Sequence, residues 1–298
     1  MKTRFFTLVA LALALVACNN DNENLNGDPV AAQFTANIAP ATRASGTTWT
    51  AGDRIGITDI GNDSQYGNVP FILKNGKFEA EGKVIYIEDT KTHTFRAYYP
   101  YNAAGGILAA TTDATAQQNQ SAIDFLFATG ATGDKKSPVV SFTDKTGKGG
   151  EDNSFHHRMS LIKFTFKAGD GLIFNGMEPA DYTLDGLKHE GTFDTATGTT
   201  AVTAAVESPI TMQLGGATTS QVIILPQGVT TSLDLKVSFN GLDYTTTLPN
   251  PSKPEANQFS AGYAYTYNIT LNNNGITVEE PEITPWEPGN SNNVSITL

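Results

Sequence analysis

Apolar residues in this chain recur at every second position, and nowhere for long at the three-to-four spacing of a helix. Tyr263, Tyr265, Tyr267, Ile269 and Leu271 share one parity, and so do Leu233, Leu235, Val237 and Phe239. Successive side chains of a strand point to opposite faces, so each run predicts a strand with one buried face. Ser160, Ile162, Phe164 and Phe166 predict another, with Leu161, Lys163, Thr165 and Lys167 on its reverse face. Residues 222–225, a continuous apolar run closed by Pro226, predict a central strand buried on both sides. Asn75-Gly76 and Asn240-Gly241 each lie between two such runs. Asn and Gly tolerate the positive φ of a type I′ turn, so both pairs predict hairpins. With no sustained helical stripe, the chain is expected to be all-β, a sandwich in each half.

Other stretches are coarser. Residues 49–57 read as a turn at Gly52-Asp53 feeding a short strand, and 84–87 and 94–99 as further strands, the second stopped by Pro100. Residues 102–116, rich in Gly, Ala and Thr, read as a loop, and 123–128 as one more apolar run. The Gly- and Lys-rich stretch 129–150, interrupted by a strand-like Val139–Phe142, is where the two halves are expected to divide, at 145/146.

The N-terminus reads as an export signal. Lys2 and Arg4 precede a short apolar core, and Ala17 precedes Cys18, the only cysteine. The core is too short to span a bilayer as a permanent helix. The Leu-Val-Ala-Cys sequence of residues 15–18 resembles a bacterial lipobox, in which the cysteine is acylated and becomes the new N-terminus. Residues 1–17 are then the signal peptide, and 18–29, acidic and without Lys or Arg, a disordered tether outside the inner membrane. A net charge of −11 argues against nucleic acid as a partner.

Catalytic motifs are absent or misplaced. Ser160-x-x-Lys163 and Lys145-Thr146-Gly147 match two boxes of penicillin-interacting enzymes, but their order is reversed and the serine lies in an alternating strand rather than opening a helix. His156 and His157 would point to opposite faces of a strand, so they make no metal pair. Asp194-Thr195-Ala196 is similar to a short O-glycosylation acceptor of Bacteroidales, but a tripeptide carries little information and a turn after Phe193 is the preferred reading. No paired carboxylates can be assigned to acid and base roles. No enzyme activity, cofactor or metal is expected.

Taken together, the 15–18 lipobox, Thr42-Arg43-Ala44, the 49–57 stretch, Phe95-Arg96-Ala97-Tyr98-Tyr99-Pro100-Tyr101, Phe155-His156-His157-Arg158-Met159-Ser160 and Ile283-Thr284-Pro285-Trp286 resemble the fimbrillin family of Bacteroidales, the type V pilins. The resemblance implies two transthyretin-like β-sandwich domains in tandem, 30–145 and 146–298. It also implies export as a lipoprotein to the outer membrane and cell surface, cleavage after an arginine, and polymerisation by strand exchange with other pilin subunits. Stalk, anchor and tip subunits all occur in the family, so a lipid-anchored adhesin that binds a host protein or glycan stands as the second reading.

The residues supply a physical basis for such an assembly. Val30, Ala32, Phe34, Ala36 and Ile38 alternate just ahead of Arg43, so cleavage between Arg43 and Ala44 would carry off segment 30–43 with the lipid. Losing that strand, read as an edge strand, would expose backbone groups and an apolar groove. At the other end Val294, Ile296 and Leu298 alternate within 290–298, after a Pro-, Gly- and Asn-rich stretch. They could refill, in the next subunit, the places of Phe34, Ala36 and Ile38 by strand addition, a head-to-tail contact that propagates. An exposed loop arginine and an ordinary edge strand are the alternatives for Arg43 and for the C-terminal strand.

Overall fold

The computed structural model describes residues 27–38, 49–143, 152–174, 179–203, 208–230 and 232–286. They are almost entirely β, with two single-turn α-helices, Asp63–Tyr66 and Gln120–Ile123, and two 3₁₀ turns. Among these residues no helix is long and apolar enough to cross a membrane.

The first sheet has eight strands, in the order Val139–Phe142, Gln33–Ala36, Lys77–Ala80, Val69–Lys74, Arg54–Asp59, His93–Tyr99, Leu126–Gly133 and His156–His157. It curls on itself. Phe34 and Phe95 lie four strands apart, about 19 Å in a flat sheet, yet their ring centroids are 5.3 Å apart. The seam is drawn together where Ile38 bridges Phe155, next to the far-edge strand. The core enclosed by this curl includes Phe34, Ile55, Ile57, Phe71, Phe95 and Phe142. Asn75-Gly76 closes its hairpin with φ of 49° and 77°, as a type I′ turn requires.

Two further sheets face each other. One runs Thr219–Ile224, Ser160–Ala168, Tyr263–Asn272 and Gly275–Val278, with Glu282–Pro285 also on Tyr263–Asn272. The other runs Ile210–Gln213, Asp181–Asp185, Leu233–Phe239 and Leu242–Leu248, its last hairpin turning at Asn240-Gly241. Ile162, Phe164, Phe166, Tyr265 and Tyr267 of the first pack on Tyr182, Leu184, Leu235 and Val237 of the second. This is the sandwich that the alternation predicts.

Three sequence expectations are corrected. The strand 222–225 is not central: Thr219–Ile224 ends its sheet. Its two faces are nonetheless buried in two cores, and glutamine side chains satisfy its free edge in place of a neighbouring strand. Gln117 accepts from Ile223 N at 3.0 Å and donates to its carbonyl at 2.7 Å, while Gln120 donates to Gln221 O at 3.0 Å. Stretch 102–116 is not all loop, for Ile107–Thr111 forms a strand against Glu190–Asp194. The pairing joins residues from the two halves, and a third core beneath it includes Tyr98, Leu108 and Phe127 together with Phe193, Ile223 and Trp286. His156–His157, past position 145, likewise pairs with Leu126–Gly133.

The third correction concerns Gln33–Ala36. It is not an edge strand. It lies between Val139–Phe142, parallel, and Lys77–Ala80, antiparallel.

Candidate functional site

Segment 30–38 is held from several sides, by a small two-stranded sheet and by the first sheet. Val30–Ala31 pairs with Tyr86–Ile87, and Ala32 N donates to Ile85 O at 2.9 Å. The chain then changes partner: Gln33 N donates to Pro138 O at 2.9 Å and Asn37 N to Phe142 O at 2.8 Å, while Asn37 O accepts from Phe155 N at 3.0 Å. Alternation puts Ala32 and Phe34 inside, 6% and 3% exposed, with Ala36 and Ile38 half-buried behind them. The Phe34 ring meets Phe71 at 4.9 Å and Phe95 at 5.3 Å edge-on, and lies over Phe142 at 6.2 Å.

Trp49 closes this segment from outside. Its indole N–H donates to the Ala36 carbonyl at 3.0 Å, and its ring meets Phe78, Tyr99 and Phe155 edge-on at 5.1–5.5 Å. A pinned turn positions it. Asp53 accepts from Thr50 N at 2.7 Å, Gly52 N donates to Leu73 O, and Leu73 N donates to Asp53 O. Gly52 has φ +97°, a conformation that suits glycine. The Tyr99 hydroxyl donates to Asp53 at 3.2 Å, and burial, joined by the Asp53 charge, raises that phenol well above its usual range.

Beside Trp49 opens a cleft of about 420 Å³, lined in part by Ile38, Tyr99, Asp124 and Ile223. Asp124 is buried and bonded to His157 Nδ1 at 2.7 Å; burial raises its pKa, against the pull of His157. The His157 imidazole stacks on Trp286, with centroids 4.0 Å apart and planes at 5°. The pair therefore ties the final described strand to the first sheet.

Of the residues that the sequence singles out, Phe34, Ala36 and Ile38 come together here. Cys18, Arg43, Ala44, Val294, Ile296 and Leu298 lie outside the described residues, as does Lys145-Thr146-Gly147. Ser160 is buried mid-sheet and donates to Ser260 O at 2.8 Å. His157 points inward, whereas His156 sits 2.8 Å from Asp152 on the other face. Among the described residues no three metal-binding side chains cluster. Thr195 is buried in a turn in which Asp194 accepts from Ala196 N and the Thr197 hydroxyl. Sequence reasoning missed Trp49 as part of this site. Its signal was an aromatic directly ahead of a Gly-Asp turn, which places a ring at the mouth of a strand pair.

Comparison with known proteins gives a consistent set. A family model described as fimbrillin-like matches residues 42–286, which leaves out both segment 30–38 and the C-terminal twelve residues. A Bacteroides uniformis protein that carries the name fimbrium subunit Fim1C is 30% identical over 309 residues, 97% of each chain. A crystal structure from Bacteroides ovatus, described as a cell adhesion protein, is 25% identical with a TM-score of 0.70, over 89% of this chain and 100% of that one. Another so described, from Bacteroides uniformis, is 27% identical with a TM-score of 0.69, over 87% and 99%.

Proposed function

Since the chain belongs to the fimbrillin-like family, a family of fimbrial subunits, we propose that it is a structural subunit of a cell-surface fimbria that polymerises by exchange of the strand at residues 30–38. In this reading Cys18 is acylated and holds the precursor at the outer membrane. A protease outside the cell cuts between Arg43 and Ala44, and segment 30–43 leaves with the lipid. The next subunit then lays Val294, Ile296 and Leu298 along the vacated groove. Each subunit accepts a strand at one end and donates one at the other, so the contact propagates head to tail.

The observation that carries this reading is the placement of Gln33–Ala36 inside the first sheet, bonded on both sides. Its loss would leave Lys77–Ala80 with an unpaired backbone edge and Val139–Phe142 without a strand partner among the described residues, and between them a deep apolar slot where Phe34 had been. Unpaired edges are templates for strand addition. Burial of one aromatic contributes up to about 3 kcal/mol and each backbone hydrogen bond about 1 kcal/mol. A replacement strand therefore has a large driving force. A strand that runs parallel to Val139–Phe142 restores the same ladder.

The same deep placement also suits a second reading, a lipid-anchored adhesin for a host protein or glycan in which the strand is never released. N-terminal sequencing of the protein on intact cells separates the two. A start at Ala44, with polymers that depend on residues 294–298, supports the fimbrial subunit. Surface protein that retains Cys18 after arginine-specific proteolysis, or normal polymers from a chain lacking residues 294–298, refutes it.

A further inference from the structure

We infer that Trp49 is a positioning residue that latches whichever strand fills the groove, by holding that strand's backbone rather than its side chains. This rests on the strand-exchange reading above and adds the device that regulates it.

Trp49 lies beyond Arg43 and stays with the subunit after the cut, whereas Ala36, whose carbonyl it holds, departs. The antiparallel ladder to Lys77–Ala80 registers only at Phe34 with Phe78. Backbone groups of a strand point to the same side at every second residue, so the Ala36 carbonyl lies on that same side, past the end of the ladder. The Trp49 indole supplies the donor that the neighbouring strand does not. Among the described residues it is the one side-chain N–H given to the backbone of residues 30–38.

The ring itself does not depend on the occupant. It is wedged edge-on against Phe78, Tyr99 and Phe155, at 88°, 75° and 86°, all on the side of the cut that remains. Its turn is pinned to Val69–Lys74 through Gly52 and Leu73. After release, the donor is preset at the groove's mouth, and any incoming strand that runs parallel to Val139–Phe142 brings a carbonyl to it. A latch on the carbonyl has no side-chain preference. It therefore serves the departing strand and the incoming one alike, slowing release of the first and dissociation of the second.

The test uses the full precursor cut at Arg43, and follows release of the N-terminal fragment by size exclusion and mass spectrometry. Trp49→Phe keeps a ring and removes the N–H, and release is expected to speed up about three- to tenfold, the effect of one hydrogen bond. A double-mutant cycle separates the latch from general loosening of the fold. A synthetic peptide of residues 28–43, with the Ala36–Asn37 amide replaced by an ester, presents a weaker acceptor to the indole. It also lacks the Asn37 N–H in both backgrounds, so the difference between backgrounds isolates Trp49. The ester should hasten peptide dissociation more from wild type than from Trp49→Phe. Equal fold-changes, or equal release rates for the two proteins, overturn the latch. Failure of the cut wild type to release its fragment or take up the unmodified peptide instead refutes strand exchange itself.

Discussion

Replacing Phe34 with alanine tests whether residues 30–38 belong to the core of the uncut chain or merely lie against it. Phe34 is 3% exposed and its ring touches three aromatics from three other strands: Phe71, Phe95 and Phe142. Truncation removes the buried ring and leaves a cavity that the curled sheet cannot close without moving Val69–Lys74 or His93–Tyr99, each bonded on both sides. Buried Phe→Ala changes of this kind cost about 3 to 5 kcal/mol. With an m-value of about 3 kcal/mol per M for a chain of this size, the urea midpoint should fall by about 1 to 1.7 M. The control is its neighbour Thr35, on the exposed face, whose hydroxyl donates to Ser141 at 3.1 Å. Thr35→Ala should cost no more than about 0.5 kcal/mol. Both variants are measured uncut by urea titration with fluorescence and circular dichroism. A Phe34→Ala midpoint within about 0.2 M of Thr35→Ala would show that the strand carries no core weight, and the vacated groove would lose its basis.

Gln117→Ala strips the edge of Thr219–Ile224: Ile223 N–H and C=O lose both partners in a buried setting, and each orphaned group costs about 1 to 3 kcal/mol. A melting temperature within a degree or so of wild type would refute that account. For His93, burial lowers the pKa, but the carboxylates of Asp59 and Asp89 outweigh it, so it lies above the ordinary 6.5. A raised histidine stabilises fully below its unfolded pKa and loses that contribution as pH rises through the folded value. The wild type should therefore lose stability relative to His93→Gln as pH climbs from about 6 to 8, and a pH-independent difference in melting temperature would contradict this. Gly198 (φ +69°) and Gly76 (φ +77°) share a backbone conformation, but an added Cβ at Gly198 runs into the Phe127 ring while Gly76 has open space. Gly76→Ala should cost about 1 to 2 kcal/mol and Gly198→Ala clearly more. Equal costs by denaturant titration would refute the contact.

What could be read in the sequence follows from the range of the interactions involved. Both Asn-Gly hairpins were legible because the turn chemistry and the flanking alternation lie within a dozen residues. The strand at Phe34 was legible from its parity. Its place in the sheet was not, since its parallel partner Val139–Phe142 is a hundred residues away and nothing local encodes that neighbour. Ile107–Thr111 was read as loop because Gly105, Gly106, Ala109 and Ala110 have little strand preference. Its conformation is imposed by Glu190–Asp194 and by burial of Leu108 and Ala110. The run 222–225 showed correctly that both faces are buried. It could not show that one backbone edge is satisfied by Gln117 and Gln120 rather than by a strand.

This layout bears on how a subunit can lose a strand and remain folded. Among the described residues, segment 27–38 places side chains in the core of the first sheet and in neither of the other two cores. Strands His93–Tyr99 and Leu126–Gly133 face both ways. Phe95, Ala97, Leu126 and Ala128 line the core that holds Phe34, while Tyr98 and Phe127 lie on the reverse with Phe193 and Trp286. Emptying the Phe34 slot thus uncovers one face of these strands while the other stays packed on the second half of the chain. The Asp124–His157 bond and the stacking on Trp286 clamp the same junction from its buried side. Under the proposed assembly the slot is a local vacancy in a sheet braced from behind and the Lys77–Ala80 edge is preset, whereas Val139–Phe142, whose strand partner among the described residues is the departing one, keeps its place through the core side chains Val140 and Phe142. The ordering cost then falls on the donor strand and on Val139–Phe142, and little on the rest of the acceptor.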